Sequence, residues 1–179
     1  DISTSGGIAG GILGRFFAMD AGESAVIRNT VNHGAVSATG FVAGIIGDSR
    51  GSSNLSVNVV DSVNTGKIKA KSSNSTSAGI VDFKQSGKFT ILRCRNYGHS
   101  VSPRFSGIVS DVNNDTSPDV NYCFGIASGS VYPIAAANTL SNKSGNNYYF
   151  GEDGVMEEPE EKLRIASVAV NGFSNDGDT

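Results

Sequence analysis

Three stretches of the chain carry one phrase: Asn29-Thr30-Val31-Asn32-His33-Gly34-Ala35-Val36, Asp61-Ser62-Val63-Asn64-Thr65-Gly66-Lys67-Ile68 and Arg93-Cys94-Arg95-Asn96-Tyr97-Gly98. The Asn returns at 32, 64 and 96 and the Gly at 34, 66 and 98, an even step of 32 residues. A fixed period of this size marks a repeat architecture, in which each unit buries its apolar face on its neighbours. The expected fold is all-β: a parallel β-solenoid of about four such repeats.

A second element lies between the first ones, as Gly11-Ile12-Leu13-Gly14, Gly44-Ile45-Ile46-Gly47, Gly79-Ile80-Val81-Asp82 and Gly107-Ile108-Val109-Ser110. Each unit then reads as a Gly-led apolar strand, a polar loop, a second strand, an Asn-x-Gly turn and a short third strand. Aligned on Cys94, the units give an apolar column (Ile27, Val59, Ile91, Val120) and a small one (Thr30, Ser62, Cys94, Cys123). Inward side chains of a solenoid stack on their counterparts one coil away, so Ile27, Val59 and Ile91 are expected in one buried file. Asn32, Asn64 and Asn96 are expected as a ladder of amides at a corner. Gly34, Gly66 and Gly98 suit a corner that needs positive φ or close approach of the next strand. The segments 15–24, 48–54, 71–77, 84–88 and 113–119 are polar and of unequal length, as expected of loops.

Composition agrees with β structure rich in turns. Among 179 residues there are 23 Gly, 25 Ser and 16 Asn against 4 Pro and no Trp, and only 17% are charged. A chain so polar would be disordered without apolar order, and here Val and Ile recur in register with the repeat. The net charge of −3 offers no basic field for nucleic acid or an anionic membrane. No run of 18 apolar residues exists for membrane insertion. The start at Asp1, without Met or a signal-like segment, leads to the expectation of a mature product or a piece of a larger polypeptide. Cys94 and Cys123, 29 residues apart, should occupy the same place on neighbouring coils. Adjacent strands lie ~4.8 Å apart, inside the ~4.4–6.8 Å that a disulfide spans, so the pair reads either as two buried free thiols or as a disulfide. No metal-ligand spacing accompanies them, and no cofactor is expected.

From 141 the composition shifts, so residues 1–140 are read as the repeats and 141–179 as a capping segment of the same domain. Asn146-Asn147-Tyr148-Tyr149-Phe150 reads as a last strand. Pro159, with Leu163, Ala166 and Val170 at helical spacing and Asn171-Gly172 as a stop, reads as a short amphipathic helix closing the stack.

Candidate chemistry is sparse. Gly47-Asp48-Ser49-Arg50-Gly51 is similar to the nucleophile loop of trypsin-like peptidases, but the two histidines, His33 and His99, stand in corner turns that the repeat explains. Asp111-x-Asn113-x-Asp115 alternates oxygen ligands as a calcium loop does, yet lacks the Gly and the bidentate Glu such a loop needs. The sequons at Asn54, Asn74, Asn114 and Asn142 imply exposed loops. A polysaccharide lyase or hydrolase would need clustered carboxylates, and Asp61 and Asp82 are isolated in sequence. One group does gather cationic and aromatic side chains: Arg93, Arg95, Tyr97, His99 and Arg104 form a candidate ligand-contact face, able to stack on a sugar ring or pair with an acidic partner.

The Gly-Ile-Leu-Gly and Gly-Ile-Ile-Gly elements, together with the intervening Asn-x-Gly phrase, resemble the GLUG-motif repeats of bacterial secreted and surface proteins. The similarity spans residues 6–137, with Asp82 and Ser110 replacing the closing Gly in two units. The resemblance implies an extracellular or cell-surface bacterial β-solenoid, as in adhesin-like proteins and accessory regions of the immunoglobulin A peptidases, and it carries over no catalytic residue. The expected function is a non-enzymatic adhesion, spacer or accessory module of a larger protein, with a host glycan or protein as partner. The alternative is a carbohydrate-binding or carbohydrate-processing β-helix.

Overall fold

The structure, a computed structural model, describes residues 1–18, 22–51, 55–84, 87–100, 102, 104–110, 119–126, 134–135, 147–150 and 156–157. After β1 (Ile2–Ser3), one coil runs through β2 (Ile8–Gly10), β3 (Leu13–Ala18), β4 (Ser24–Arg28), β5 (Val31–Asn32) and β6 (Val36–Ala38). The next repeats all five sides as β7 (Phe41–Ala43), β8 (Ile46–Gly51), β9 (Ser56–Val60), β10 (Val63–Asn64) and β11 (Ile68–Ala70). The third comprises β12 (Ser77–Ala78), β13 (Val81–Lys84), β14 (Lys88–Leu92) and β15 (Arg95–Asn96), and its fifth side is a single bridge from Ser100 to Ile68. A further partial coil has β16 (Phe105–Ser106), a bridge at Val109, β17 (Asp119–Asn121) and β18 (Phe124–Ile126). Then β19 (Tyr148–Phe150) joins β18 in parallel, and β20 (Met156–Glu157) runs antiparallel to β19.

The fold is therefore an all-β parallel solenoid of about three turns. Two sequence expectations change. Each coil has five sides rather than three strands, because strands as short as β5 and β10 hold too few residues to show alternation. The segments at 15–24, 48–54 and 84–88 also begin as strand, since β3, β8 and β13 run on to Ala18, Gly51 and Lys84. No helix occurs among the described residues; the expected capping helix from Pro159 lies outside them. The expected strand at Tyr148–Phe150 is β19.

The register sets the inward files. Ile27, Val59, Ile91 and Val120 are aligned through β4, β9, β14 and β17, and the last three are fully buried. Asn32, Asn64 and Asn96 are aligned through β5, β10 and β15. Their amides form a continuous ladder: Asn32 Nδ2 donates to Asn64 Oδ1 at 2.8 Å, and Asn64 Nδ2 to Asn96 Oδ1 at 2.8 Å. Each amide also donates to the carbonyl of the Gly two residues on and accepts that glycine's N–H. Asn64 thus uses both donors and both acceptor sites of its carboxamide, the full complement of the group.

The glycines follow from this ladder. A Cβ on Gly44 would collide with the Gly79 carbonyl and the Asn64 side chain, and one on Gly79 with the Gly107 carbonyl and the Asn96 side chain. On the other flank, Gly66 lies against the Gly34 carbonyl and Asn32 Nδ2, and Gly98 against the Gly66 carbonyl and Asn64 Nδ2. Of the two expected reasons for Gly34, Gly66 and Gly98, close approach is the operative one; among the described glycines only Gly22 and Gly87 have positive φ. The Asn file pressed on the Gly11–Gly44–Gly79 file makes a waist through the coil. It divides two apolar compartments: a larger one with Ile45, Ile80, Phe89, Ile91 and Cys94, and a smaller one with Val36, Val42, Ile68 and Phe105.

A different file carries the left-handed conformation. Asn29, Asp61, Arg93 and Tyr122 have φ of 52°, 50°, 50° and 53°. An L-residue there costs about 1–2 kcal/mol, least for Asn and Asp, whose short polar side chains bond locally. The residue that follows each is small and caps the bend: Ser62 Oγ donates to the Val60 carbonyl at 2.9 Å, and the Cys94 and Cys123 thiols donate to the carbonyls of Leu92 and Asn121 at 3.4 and 3.3 Å. Both cysteines are free and buried. They stand where the first two coils use Thr30 and Ser62, themselves joined Oγ1 to Oγ at 3.1 Å. Burial pushes the Cys123 thiol well above the ordinary cysteine range.

Ile91→Ala is expected to cost roughly 2–5 kcal/mol of stability, as large-to-small core changes do. Lys69→Ala, on the exposed side of β11, should stay within about 0.5 kcal/mol. Equal shifts in denaturant midpoint for the two would contradict the inward file. Asn64→Ala should destabilise more than Asn32→Ala, since it breaks two inter-coil amide bonds instead of one and strands buried partners at about 1–3 kcal/mol each. Chemical denaturation of both variants measures the order.

Candidate functional site

The bend at Arg93 sets the facing of the residues after it. Cys94, Asn96, Gly98 and Ser100 are buried, while Arg93, Tyr97 and His99 are exposed and Arg95 is half-buried. Period-2 alternation thus turns four of the five candidate contact residues outward along one run of chain. Arg104 is not with them. It stands just ahead of β16, beyond the Ser100 side of the coil, and its Nη1 meets the Asn74 carbonyl at 3.5 Å in an exposed loop. Nearness in sequence does not survive a corner of the coil.

Arg93 forks onto Asp61, one coil earlier in the same left-handed file, with Nε to Oδ1 at 2.6 Å and Nη2 to Oδ2 at 2.8 Å. This bidentate pair holds the Asp61 carboxyl below the usual carboxylate range; slight burial opposes the shift, and the charges of Arg93 and Arg95 add to it. Arg95 lies in register with Val63 on one side and Phe124 on the other. The Tyr97 ring meets the buried Phe124 ring at 5.4 Å between centroids, tilted 43°, so an exposed phenol rests on a fixed apolar base. In the first two coils the same outward file holds His33, whose Nδ1 lies 2.7 Å from Thr65 Oγ1. The face can stack a planar or pyranose ring on Tyr97 and present hydrogen-bond donors beside it.

Other carboxylates serve the stack. Asp48 is fully buried on β8, and its Oδ2 accepts Arg15 Nε and Arg50 Nε, each at 2.8 Å. A charge so buried needs such partners. The sequence reading missed this cluster, although the alignment of Arg15 with Asp48 across one period contained the signal. Asp82, where the first two units have a closing Gly, accepts the Val42 N–H at 2.6 Å and the Ser110 hydroxyl. Ser49, of the peptidase-like stretch, has a buried hydroxyl with no hydrogen-bond partner, so no histidine base is on it. The calcium-like stretch Asp111-x-Asn113-x-Asp115 lies outside the described residues. Among those residues, no group of three or more His, Cys, Asp and Glu is placed to hold a metal, and no helix is long and apolar enough to cross a membrane.

Comparison with protein-family models, with curated proteins and with solved structures gives no match to the chain. The geometry defines a class by itself: a five-sided parallel β-solenoid with an outward aromatic and cationic face on one coil.

The Asp61–Arg93 pair gives a pH prediction. Its folded-state pKa is depressed, so its contribution is complete above the unfolded carboxylate value of about 3.9 and fades as pH falls through the lower folded value. NMR titration should show the Asp61 carboxyl moving up toward the ordinary range in Arg93→Ala. Its exposure and salt screening keep the associated change in stability small.

Proposed function

We propose that the chain is a non-enzymatic, extracellular β-solenoid module, an adhesion or spacer element of a larger bacterial secreted or surface protein. The resemblance of its Gly-Ile-x-Gly and Asn-x-Gly elements to GLUG-motif repeats supports this reading. So does the use of the ionisable groups: Asp48, Asp61 and Asp82 are each engaged by arginine, backbone or hydroxyl partners within the stack. A carboxylate committed to a structural partner is poorly placed for acid–base work on a substrate.

The one observation that favours a contact role over a bare spacer is the Tyr97–Phe124 ring pair beside Arg95. An aromatic side chain with fixed orientation and a cationic neighbour is the chemistry that reads a glycan or an acidic protein segment. This makes carbohydrate binding the second reading, on the same face.

Arg95→Ala with Tyr97→Ala should leave the circular dichroism spectrum and the cooperative unfolding of the domain in place. It should abolish retention on the members of a glycan array or host-protein panel that the parent domain binds. Unchanged retention would remove the β15 face from the binding role, and a parent that binds nothing on either panel would leave the spacer reading alone.

A further inference from the structure

The first coil shows what its outer side is made to receive. Ile45, Ile80 and Ile108 are each 0% exposed, whereas Ile12, first in the same file, is 45% exposed. Leu13, Ala25 and Ile27 are likewise only partly buried, while Ile46, Val57 and Val59 above them are 0% exposed.

The polar groups on this rim repeat an inter-coil pattern that is complete elsewhere. The Ile45 carbonyl accepts the N–H groups of both Ile12 and Leu13, at 3.2 and 2.9 Å, and the Ile80 carbonyl accepts those of Ile45 and Ile46, at 3.1 and 3.0 Å. The Ile12 carbonyl is their counterpart on the rim. Val63 and Arg95 donate their N–H groups to the carbonyls of Thr30 and Ser62, one coil earlier; the Val31 N–H is the rim counterpart. Asn64 Oδ1 and Asn96 Oδ1 each accept an Nδ2 from the coil before, and Asn32 Oδ1 is the acceptor at the start of that ladder.

One side of the layer beneath is already built. β1 pairs in parallel with β6, Ile2 opposite Val36, as β6 itself pairs with β11. The Asp1 carboxylate accepts the Ala35 N–H at 2.8 Å, and Thr39 donates its N–H to the Gly6 carbonyl at 3.1 Å. An occupant of the rim therefore has its register fixed in advance.

We propose that the rim formed by β2, β3, β4 and β5 is a docking edge for a further β-coil of the same repeat class, in parallel register. The occupant brings four sides to meet the fifth supplied by β1. Its chemistry is specified by the rim: an Asn whose Nδ2 donates to Asn32 Oδ1, two successive N–H groups for the Ile12 carbonyl, and a branched apolar side chain over Ile12. A parallel coil satisfies these together, since each pattern already recurs between coils of this chain. Exposed strand edges of this kind template the addition of further strands.

The test adds such a coil. A second copy of residues 4–34 is fused ahead of the full chain, so that the copy's Gly34 precedes Asp1 as Gly34 precedes Ala35. The fusion should melt at higher temperature than the parent and show slower hydrogen exchange at the Val31 amide. The same fusion with Asn32→Leu in the copy should lose much of both gains. Protease-sensitive added residues, with melting and Val31 exchange unchanged, would overturn the proposal. So would reversible dimerisation of the unfused chain in analytical ultracentrifugation that Ile12→Lys abolishes, because the rim would then serve a second copy of the chain.

Discussion

One contact governs the cross-section of this molecule: an Asn carboxamide on one side of the coil lying against glycine backbone on the opposite corner. The amide cannot reach across unless the facing residue lacks a Cβ, so Asn64 demands Gly44 and Asn96 demands Gly79. The same amide bonds to the Gly two residues along, whose missing side chain lets its coil settle on the one before. Two sequence motifs more than a dozen residues apart are thus two halves of one steric arrangement. The waist they form splits the interior into two compartments that a few Ile, Val, Leu and Phe side chains from each coil fill, which a chain with few large residues can supply.

Stacking also explains where the chain tolerates charge. A side chain in a file has its counterpart directly above and below, so a change that introduces charge into one coil can be answered in the next. Asp48 is answered by Arg15 across one period and by Arg50 two residues along its own strand, and Asp61 by Arg93 across one period. Cys94 and Cys123 obey the same rule in neutral form. They stand in the file of Ser62, whose hydroxyl donates to the carbonyl two residues back, and the thiols keep that bond. Their presence is accounted for by the bend they cap.

The sequence made the solenoid legible because a step of 32 residues repeats both apolar and polar landmarks, and the files of Ile27 and Asn32 follow from it. It hid the five-sided section, since sides of two or three residues are too short to show the alternation of a strand. It also hid the left-handed file. Asn29 and Asp61 suit that conformation, but Arg93 and Tyr122 in the same file blur the pattern, and the sequence points to Gly34, Gly66 and Gly98 as the places for positive φ or close approach. The candidate face was legible from Arg93 to His99, where alternation runs unbroken, and failed at Arg104, where the chain turns a corner. Residues 158–179, where a helical cap was expected, lie outside the described part of the chain.

The ladder of amides has a direction. In both inter-coil bonds the Nδ2 lies on the N-terminal side and the accepting Oδ1 on the C-terminal side, Asn32 to Asn64 and Asn64 to Asn96. The side-chain dipoles therefore add head to tail, as peptide dipoles do along a helix, and each bond polarises the next. The oxygen of Asn32 forms the negative pole and the Asn96 amide the positive pole, at the level where the next coil, with Phe124 opposite Arg95, brings Gly125 to the rung and the series stops. Strands contribute little net dipole, so among the described residues one column of neutral side chains gives the solenoid an electrical polarity along its axis.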